Sequence, residues 1–215
     1  MQAPVRHTIF DQTFWLSAQR CAYWEEQQAL IVSDLHFGKT GHFRKAGIPV
    51  PQHIFKEDLQ RLVALINFFN PTQIIAVGDL FHSQANLELD LFKRWRDDFP
   101  QLQFHLVKGN HDILKKDWYA GAGLTVWDAH LQIGSFYFNH DHCVTADGAF
   151  SFCGHLHPGV TIQGMGKQSL RFPCFYFAHN HCILPAFSRF TGMATINRKE
   201  AKSVYAIVDA ALIKL

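Results

Sequence analysis

The order of apolar and polar positions divides the chain into two textures. His7 to Phe10, Phe14 to Leu16, Cys21 to Trp24 and Ala29 to Ser33 are short aromatic or β-branched runs separated by polar residues. They predict hairpins leading into one buried strand, Leu30-Ile31-Val32. Between Pro51 and Phe69, the residues Phe55, Leu59, Leu62, Ile66 and Phe69 recur at intervals of four, three, four and three, one stripe of a helix with Pro51 near its first turn. Ile74 to Val77 predicts a second buried strand, Leu87, Leu91, Trp95 and Phe99 a second helix, and Phe104 to Val107 a third strand. This alternation is the signature of a mainly parallel sheet, in which ligands collect beyond the carboxyl ends of the strands.

In the second half the long helical stripes disappear. Leu124 to Trp127, Leu131 to Ile133, Phe136 to Asn139, Phe150 to Cys153, Val160 to Ile162 and Leu170 to Phe177 are strand candidates, with Cys182 to Ala186 and Val204 to Val208 beyond them. They predict a second, mixed or antiparallel sheet packed on the first. No linker or repeat separates the halves, so residues 1–215 are read as one α/β (α+β) domain.

Composition narrows the function. Hydrophobic residues make up 48% and the formal net charge is +2, which fits an ordered body and excludes a strongly basic nucleic-acid arm. Histidine, at 14 residues, raises the expectation of a metal or acid/base site. Five cysteines without a C-x-x-C pair speak against a disulfide framework, and neither a signal peptide nor an apolar run of the ~20 residues a membrane span needs is visible. A reduced, cytoplasmic setting is the simplest expectation.

The chemistry concentrates where apolar runs end: Asp34-Leu35-His36, Gly78-Asp79, Gly109-Asn110-His111-Asp112, His140 and Gly154-His155-Leu156-His157. In extended chain the i, i+2 pairs Asp34/His36 and His155/His157 would point to one side, roughly 6–7 Å apart, within reach of one metal or two adjacent ones. Asp79, with two carboxylate oxygens at the end of the central strand, is the candidate bridge between two cations. His140 is preferred to His142 because it directly follows Phe136-Tyr137-Phe138. Gly109 is expected to let the chain turn tightly.

Other residues carry weaker signals. His82 lies one loop turn beyond Asp79, where it either contacts substrate or orients a ligand, or is an exposed loop residue. Lys39, Arg44, Lys45, Lys108, Lys115 and Lys116 fall in or beside the ligand-bearing loops, as a rim for a polyanion or as solvated charges. His179-Asn180-His181-Cys182 lacks a fourth metal ligand and is read as structural.

The ordered set D-x-H, G-D, G-N-H-D, H and G-H-x-H resembles the calcineurin-like metallophosphoesterase superfamily. The resemblance implies a four-layer sandwich, two packed mixed β-sheets flanked by helices. It further implies one metal held by Asp34, His36, Asp79 and His157, and a second by Asp79, Asn110, His140 and His155. His111 would not ligate but would face the scissile phosphate, as imidazolium stabilising its oxygens or protonating the leaving alkoxide. Asp112 would orient that ring, or else cap the following helix. Two divalent ions lower the pKa of a bridging water and stabilise in-line displacement, so the implied nucleophile is a metal-bridging hydroxide.

Asp34-Leu35-His36-Phe37-Gly38-Lys39, Gly47-Ile48-Pro49-Val50-Pro51, Gly78-Asp79-Leu80-Phe81-His82-Ser83, Gly154-His155-Leu156-His157-Pro158, Pro173-Cys174-Phe175 and Leu184-Pro185-Ala186-Phe187 with Phe190-Thr191-Gly192 resemble, more narrowly, the bacterial ligase-associated metallophosphoesterases. That family is linked to a DNA ligase and a helicase in the DNA damage response and is regarded as a Mn-dependent phosphodiesterase or endonuclease. The expectation is a binuclear phosphodiesterase in nucleic-acid processing, with a phosphodiester or single-stranded nucleic acid as substrate, Mn as the metal (Fe, Zn and Ni also suit the donors), ligase and helicase as partners and a homodimer left open. A phosphodiesterase for small or cyclic nucleotides, and a partner-binding scaffold without turnover, are the alternatives.

Overall fold

The computed structural model describes residues 2–39, 53–82, 87–143, 147–164, 166 and 168–215. The expected helix start at Pro51, the basic residues Arg44 and Lys45, and Ser83 lie outside them. Sixteen strands among the described residues form two sheets.

The first sheet runs in chain order. Strands β1 (Val5–Ile9), β2 (Gln12–Ser17), β3 (Cys21–Trp24) and β4 (Ala29–Val32) are antiparallel neighbours. Strands β5 (Gln73–Val77), β6 (Gln103–Val107) and β7 (Thr125–Trp127) then add in parallel to β4. Parallel neighbours need a crossover, supplied by α1 (His53–Phe69) between β4 and β5 and α2 (Leu87–Asp97) between β5 and β6. Side chains alternate across the sheet: Leu30, Val32, Ile74, Ala76 and Leu106 pack in one core cluster with Leu62, Leu65 and Phe92 of the helices. Ile31, Ile75, Val77 and Val107 lie in the other, against the second sheet.

That second sheet is mixed. It runs β14 (Ala194–Thr195), β11 (Pro158–Gln163), β12 (Ser169–Phe177), β13 (His181–Ile183), β10 (Phe150–Cys153), β9 (Phe136–Asn139) and β8 (Leu131–Ile133), while β15 (Ser203–Val208) pairs with both β12 and β16 (Ala211–Lys214). Strands β9 and β13 flank β10 in parallel, and β12 is antiparallel to β13. Phenylalanine fills both faces of the first sheet, with Phe37, Phe55, Phe81, Phe92 and Phe104 in the core that also holds the helix residues and a second set between the sheets. Phe14, Phe136, Phe138, Phe152, Phe175 and Phe177 fill the space together with Trp24, and Phe138 stacks on Phe152 at 5.5 Å.

The short elements are those the periodicity did not announce. Helix α3 (Lys116–Gly121) has six residues, too few for a stripe, and β14 has two. Cysteine chemistry also differs from expectation: Cys143 and Cys153 form a disulfide, while Cys21, Cys174 and Cys182 are buried thiols. Spacing alone could not find that pair, because the ten-residue separation is bridged only once β9 and β10 lie side by side.

Candidate metal centre

All the clusters at strand ends converge on one edge of the paired sheets. Asp34 follows β4, Asp79 follows β5 and Asn110-His111 follow β6 in the first sheet, and His140 follows β9 and His155 follows β10 in the second, with His157 directly before β11. Two groups of donors form: Asp34, His36 and His157, and Asp79, His140 and His155, each with its ligand atoms within 4.8 Å of one another. Between them lies Asp79, whose Oδ1 is 3.4 Å from His140 Nε2 and whose Oδ2 is 4.0 Å from His36 Nδ1.

The local backbone that aims these residues is not the extended chain expected from the i, i+2 spacing. Asp34, His36, Asp79, His155 and His157 all have positive φ, between 46° and 66°. That left-handed region is sparsely populated for residues with a Cβ, costing of order 1–3 kcal/mol each, and it persists where the surrounding structure over-determines it. The fixing contacts are visible. His36 N–H donates to the Asp79 carbonyl at 2.8 Å, Asp34 N–H to the Gly78 carbonyl at 3.1 Å, and His155 N–H to the Asp34 carboxylate at 3.1 Å.

The donor set fits divalent cations. His157 Nε2 stands 3.2 Å from Asp34 Oδ1 and 3.3 Å from His36 Nε2. Ligands on a tetrahedral ion with bonds of about 2.0–2.1 Å stand about 3.3 Å apart. Among the described residues His140 Nε2 is buried without a hydrogen-bond partner while turned toward Asp79 Oδ1, an orphaned polar atom that a cation at the centre would satisfy in place of a proton. Burial, with Lys39 adding to it, pushes the His36 imidazole down to about 3, so it is neutral and ligand-ready. Burial also opposes charge on His140, but Asp79 and Asp34 outweigh it and lift His140 to about 9. For Asp79, burial is overcome by His140 and the His111 N–H, which hold the carboxyl at about 2.

Asn110 is exposed in the turn beside Asp79, and the next residue's N–H donates to Asp79 Oδ1 at 2.9 Å. His111 Nε2 lies 4.0 Å from Asp79 Oδ2 with its side chain 41% exposed, open to a substrate above the site. His82 is half-buried and its ring lies 4.2 Å from that of His111. Lys39 is half-buried; burial lowers its pKa, while Asp79 and Asp34 act to raise it. Arg44 lies outside the described residues. His142 is exposed, as are Lys115 and Lys116, and Lys108 and Lys116 both reach Asp128, at 3.6 and 3.1 Å.

Asp112 does not cap the following helix, and its carboxylate turns to the backbone. Its carboxylate is 1% exposed and accepts the N–H groups of Gly109 at 2.9 Å and Phe81 at 3.0 Å, tying the loop after β6 to the loop after β5. Burial raises it to about 7 against those two bonds. Helix α3 is capped at Lys115 without a side-chain bond. Gly109 likewise acts through space rather than through a left-handed turn, since a Cβ there would meet Asp79 Oδ1 and His140.

Sequence reasoning passed over three contributors. The Ser33 hydroxyl lies 2.6 Å from Asp34 Oδ2 and 2.7 Å from the Val77 carbonyl, fixing the carboxylate from behind. His157 Nδ1 lies 3.2 Å from the Gly192 carbonyl, which leaves Nε2 for the centre. Asp141 Oδ1 lies 3.5 Å from His155 Nδ1 and 3.8 Å from His140 Nε2; the run Asn139-His140-Asp141-His142 was read only for its histidines.

Comparison with known proteins agrees with this geometry. A family model described as calcineurin-like phosphoesterase matches residues 28–181. The crystal structure of the Pseudomonas putida nuclease MPE is similar over 99% of this chain and 100% of that one, with 27% identity and a TM-score of 0.85. A transmembrane protein with a metallophosphoesterase domain from Danio rerio is 28% identical over 88 residues, 41% of this chain, and the chain spans only 17% of that relative's length. Among the described residues no helix is long and apolar enough to cross a membrane.

Proposed function

The chain belongs to the calcineurin-like phosphoesterase family, and from that premise we propose that it is a binuclear metal-dependent phosphodiesterase acting on nucleic acid. The observation that carries the reading is the pair of donor groups meeting at Asp79. Asp34, His36, Asp79 and His157 would hold one ion, and Asp79, Asn110, His140 and His155 the other. Two divalent ions there would supply Lewis acidity, activating water and drawing charge from the phosphoryl oxygens.

The chain's own residues do the rest. Asp79, ionised at neutral pH, faces both donor groups and would serve both positions. His111, exposed beside it, can donate from Nε2 to a phosphoryl oxygen or to the leaving alkoxide. His82 packs against that ring and limits its orientation. Asp112 acts through Gly109 as a positioning residue, and Lys39 with Arg44 would contact substrate phosphates. Manganese is the proposed metal, since imidazole and carboxylate donors suit it, and Fe, Zn and Ni share that chemistry. A cytoplasmic role in DNA repair beside a ligase and a helicase extends the reading through the narrower sequence resemblance.

The nuclease named for the Pseudomonas putida structure supports a nucleic-acid substrate over a cyclic nucleotide. The test compares bis-p-nitrophenyl phosphate, cyclic nucleotides and single-stranded DNA, with Mn and with EDTA. Mn-dependent cleavage of DNA is expected. Turnover confined to cyclic nucleotides would move the function to small molecules, and two bound metals without hydrolysis of any phosphodiester would leave a partner-binding scaffold.

A further inference from the structure

Beside the metal centre lies a group of cations that the proposed chemistry does not use. A small cavity of about 50 Å³ is lined by His157, Arg20 and Arg189. A larger one of about 260 Å³ shares Arg20 and Arg189 and adds Arg61. Asp58, 3.1 Å from Arg61, also attracts Arg20 and Arg189, Glu57 acts on Arg61, and Asp209 lines the larger cavity.

Two of the guanidiniums have structural work. Arg20 donates to the carbonyls of Ala186 and Ser188, at 3.1 and 2.7 Å, and Arg61 donates to the Phe187 carbonyl and lies over the Phe187 ring at 4.0 Å. Those bonds hold the segment whose Phe187 and Ser188 N–H groups donate to the carbonyls of Ser33 and Asp34. Backbone carbonyls do not neutralise charge, however. Burial first, then the proximity of Arg61 and Arg189, pushes the Arg20 guanidinium down to about 10 against the opposing pull of Asp58. Arg61 Nε is buried with no acceptor among the described residues, and Arg189 is exposed at both cavities. Guanidiniums gathered at the walls of two adjoining cavities, one of them exposed, offer N–H groups to an anion.

We propose that Arg20 and Arg189, backed by Arg61, form a subsite for a second phosphate of a phosphodiester chain, on the His157 side of the metal centre. The inference rests on the phosphodiesterase reading and sharpens it. A substrate engaging both places carries at least two phosphates in one backbone, so a nucleic-acid strand is preferred over an ester with a single phosphate.

Arg189 is the residue to change, because it is exposed and outside the core. Arg189→Ala and Arg189→Lys are compared with the parent for binding of a fluorescein-labelled oligothymidylate in EDTA, where turnover is off. Arg189→Ala is expected to bind about tenfold more weakly, the size of one charge-assisted contact. Its log K against log salt should be shallower by about 0.7. Arg189→Lys should restore the slope. With Mn, the ratio of kcat/KM for the oligonucleotide to that for bis-p-nitrophenyl phosphate should also fall about tenfold in Arg189→Ala. Unchanged affinity, or weaker binding with an unchanged salt slope, overturns the subsite. If the Mn-loaded parent hydrolyses neither substrate, the phosphodiesterase reading fails, and the binding series in EDTA still judges the subsite by itself.

Discussion

A side chain at position 109 would place its Cβ 2.2 Å from Oδ1 of Asp79. The loop after β6 and the carboxylate after β5 therefore share a space that only glycine leaves free. Gly109→Ala must displace Asp79 or the loop, since His140 Cδ2 closes the other side at 2.8 Å. The expected result is loss of metal, read by elemental analysis after gel filtration, with activity down at least about tenfold and a melting temperature below the parent's, since the stabilisation by bound metal goes with it. A variant that keeps its full metal content would refute the coupling.

His111 and Asp79 should separate chemistry from metal retention. His111→Ala is expected to keep the parent's metal content while turnover falls by about 10²–10⁴, the range of a lost general acid. Asp79→Asn should lower occupancy at both positions, because one carboxylate faces both groups. Undiminished turnover in His111→Ala would remove that residue from the reaction.

Asp112→Ala should cost stability before it costs chemistry. It strips the acceptor from two N–H groups, those of Gly109 and Phe81, beside a side chain that is 1% exposed. Each orphaned donor costs about 1–3 kcal/mol, so a total of about 2–6 kcal/mol is expected in urea denaturation. A loss below about 0.5 kcal/mol, typical of surface changes, would mean the loops are joined by something else.

His7 should make the fold acid-sensitive. Its ring stacks on Phe177 at 3.9 Å, its Nδ1 meets the Tyr205 hydroxyl at 2.9 Å, and burial, with Lys214 and Lys202 nearby, lowers it to about 4. The unfolded chain takes up the proton near the ordinary value of about 6.5, whereas the folded one resists it. The stability tied to neutral His7 is thus fully present above about 6.5 and is lost as pH falls toward about 4. His7→Phe keeps the stack and should flatten the decline in denaturation midpoint across that window. Parallel declines in the two proteins would exclude His7 as the cause.

Much of this arrangement was legible in the sequence, for identifiable reasons. The two long helices follow from periodicity, because each buries one face, and the central strands β4, β5 and β10 follow from short continuous apolar runs, because both their faces are covered. The clustering at strand ends follows from the parallel order of β4, β5 and β6. What escaped were effects of distant segments. Ser33 looks like the last residue of a strand until Val77 arrives beside it, and Asp112 looks like a helix cap until the Phe81 N–H is in reach. The Cys143–Cys153 link and the Arg20, Arg61 and Arg189 group join residues from different elements, where no local spacing applies.

The division of donors between the sheets has a mechanical consequence. Asp34, His36 and Asp79 come from one sheet and His140, His155 and His157 from the other, so an ion bound among them would act as a rivet through both. Saturating it at a hundredfold excess over Kd adds about 2.7 kcal/mol to the folded state. That gain falls on the separation of the two sheets, so the amides of β4, β5, β9 and β10 should exchange more slowly in step as metal is added, while β14 and β16 at the margins gain little.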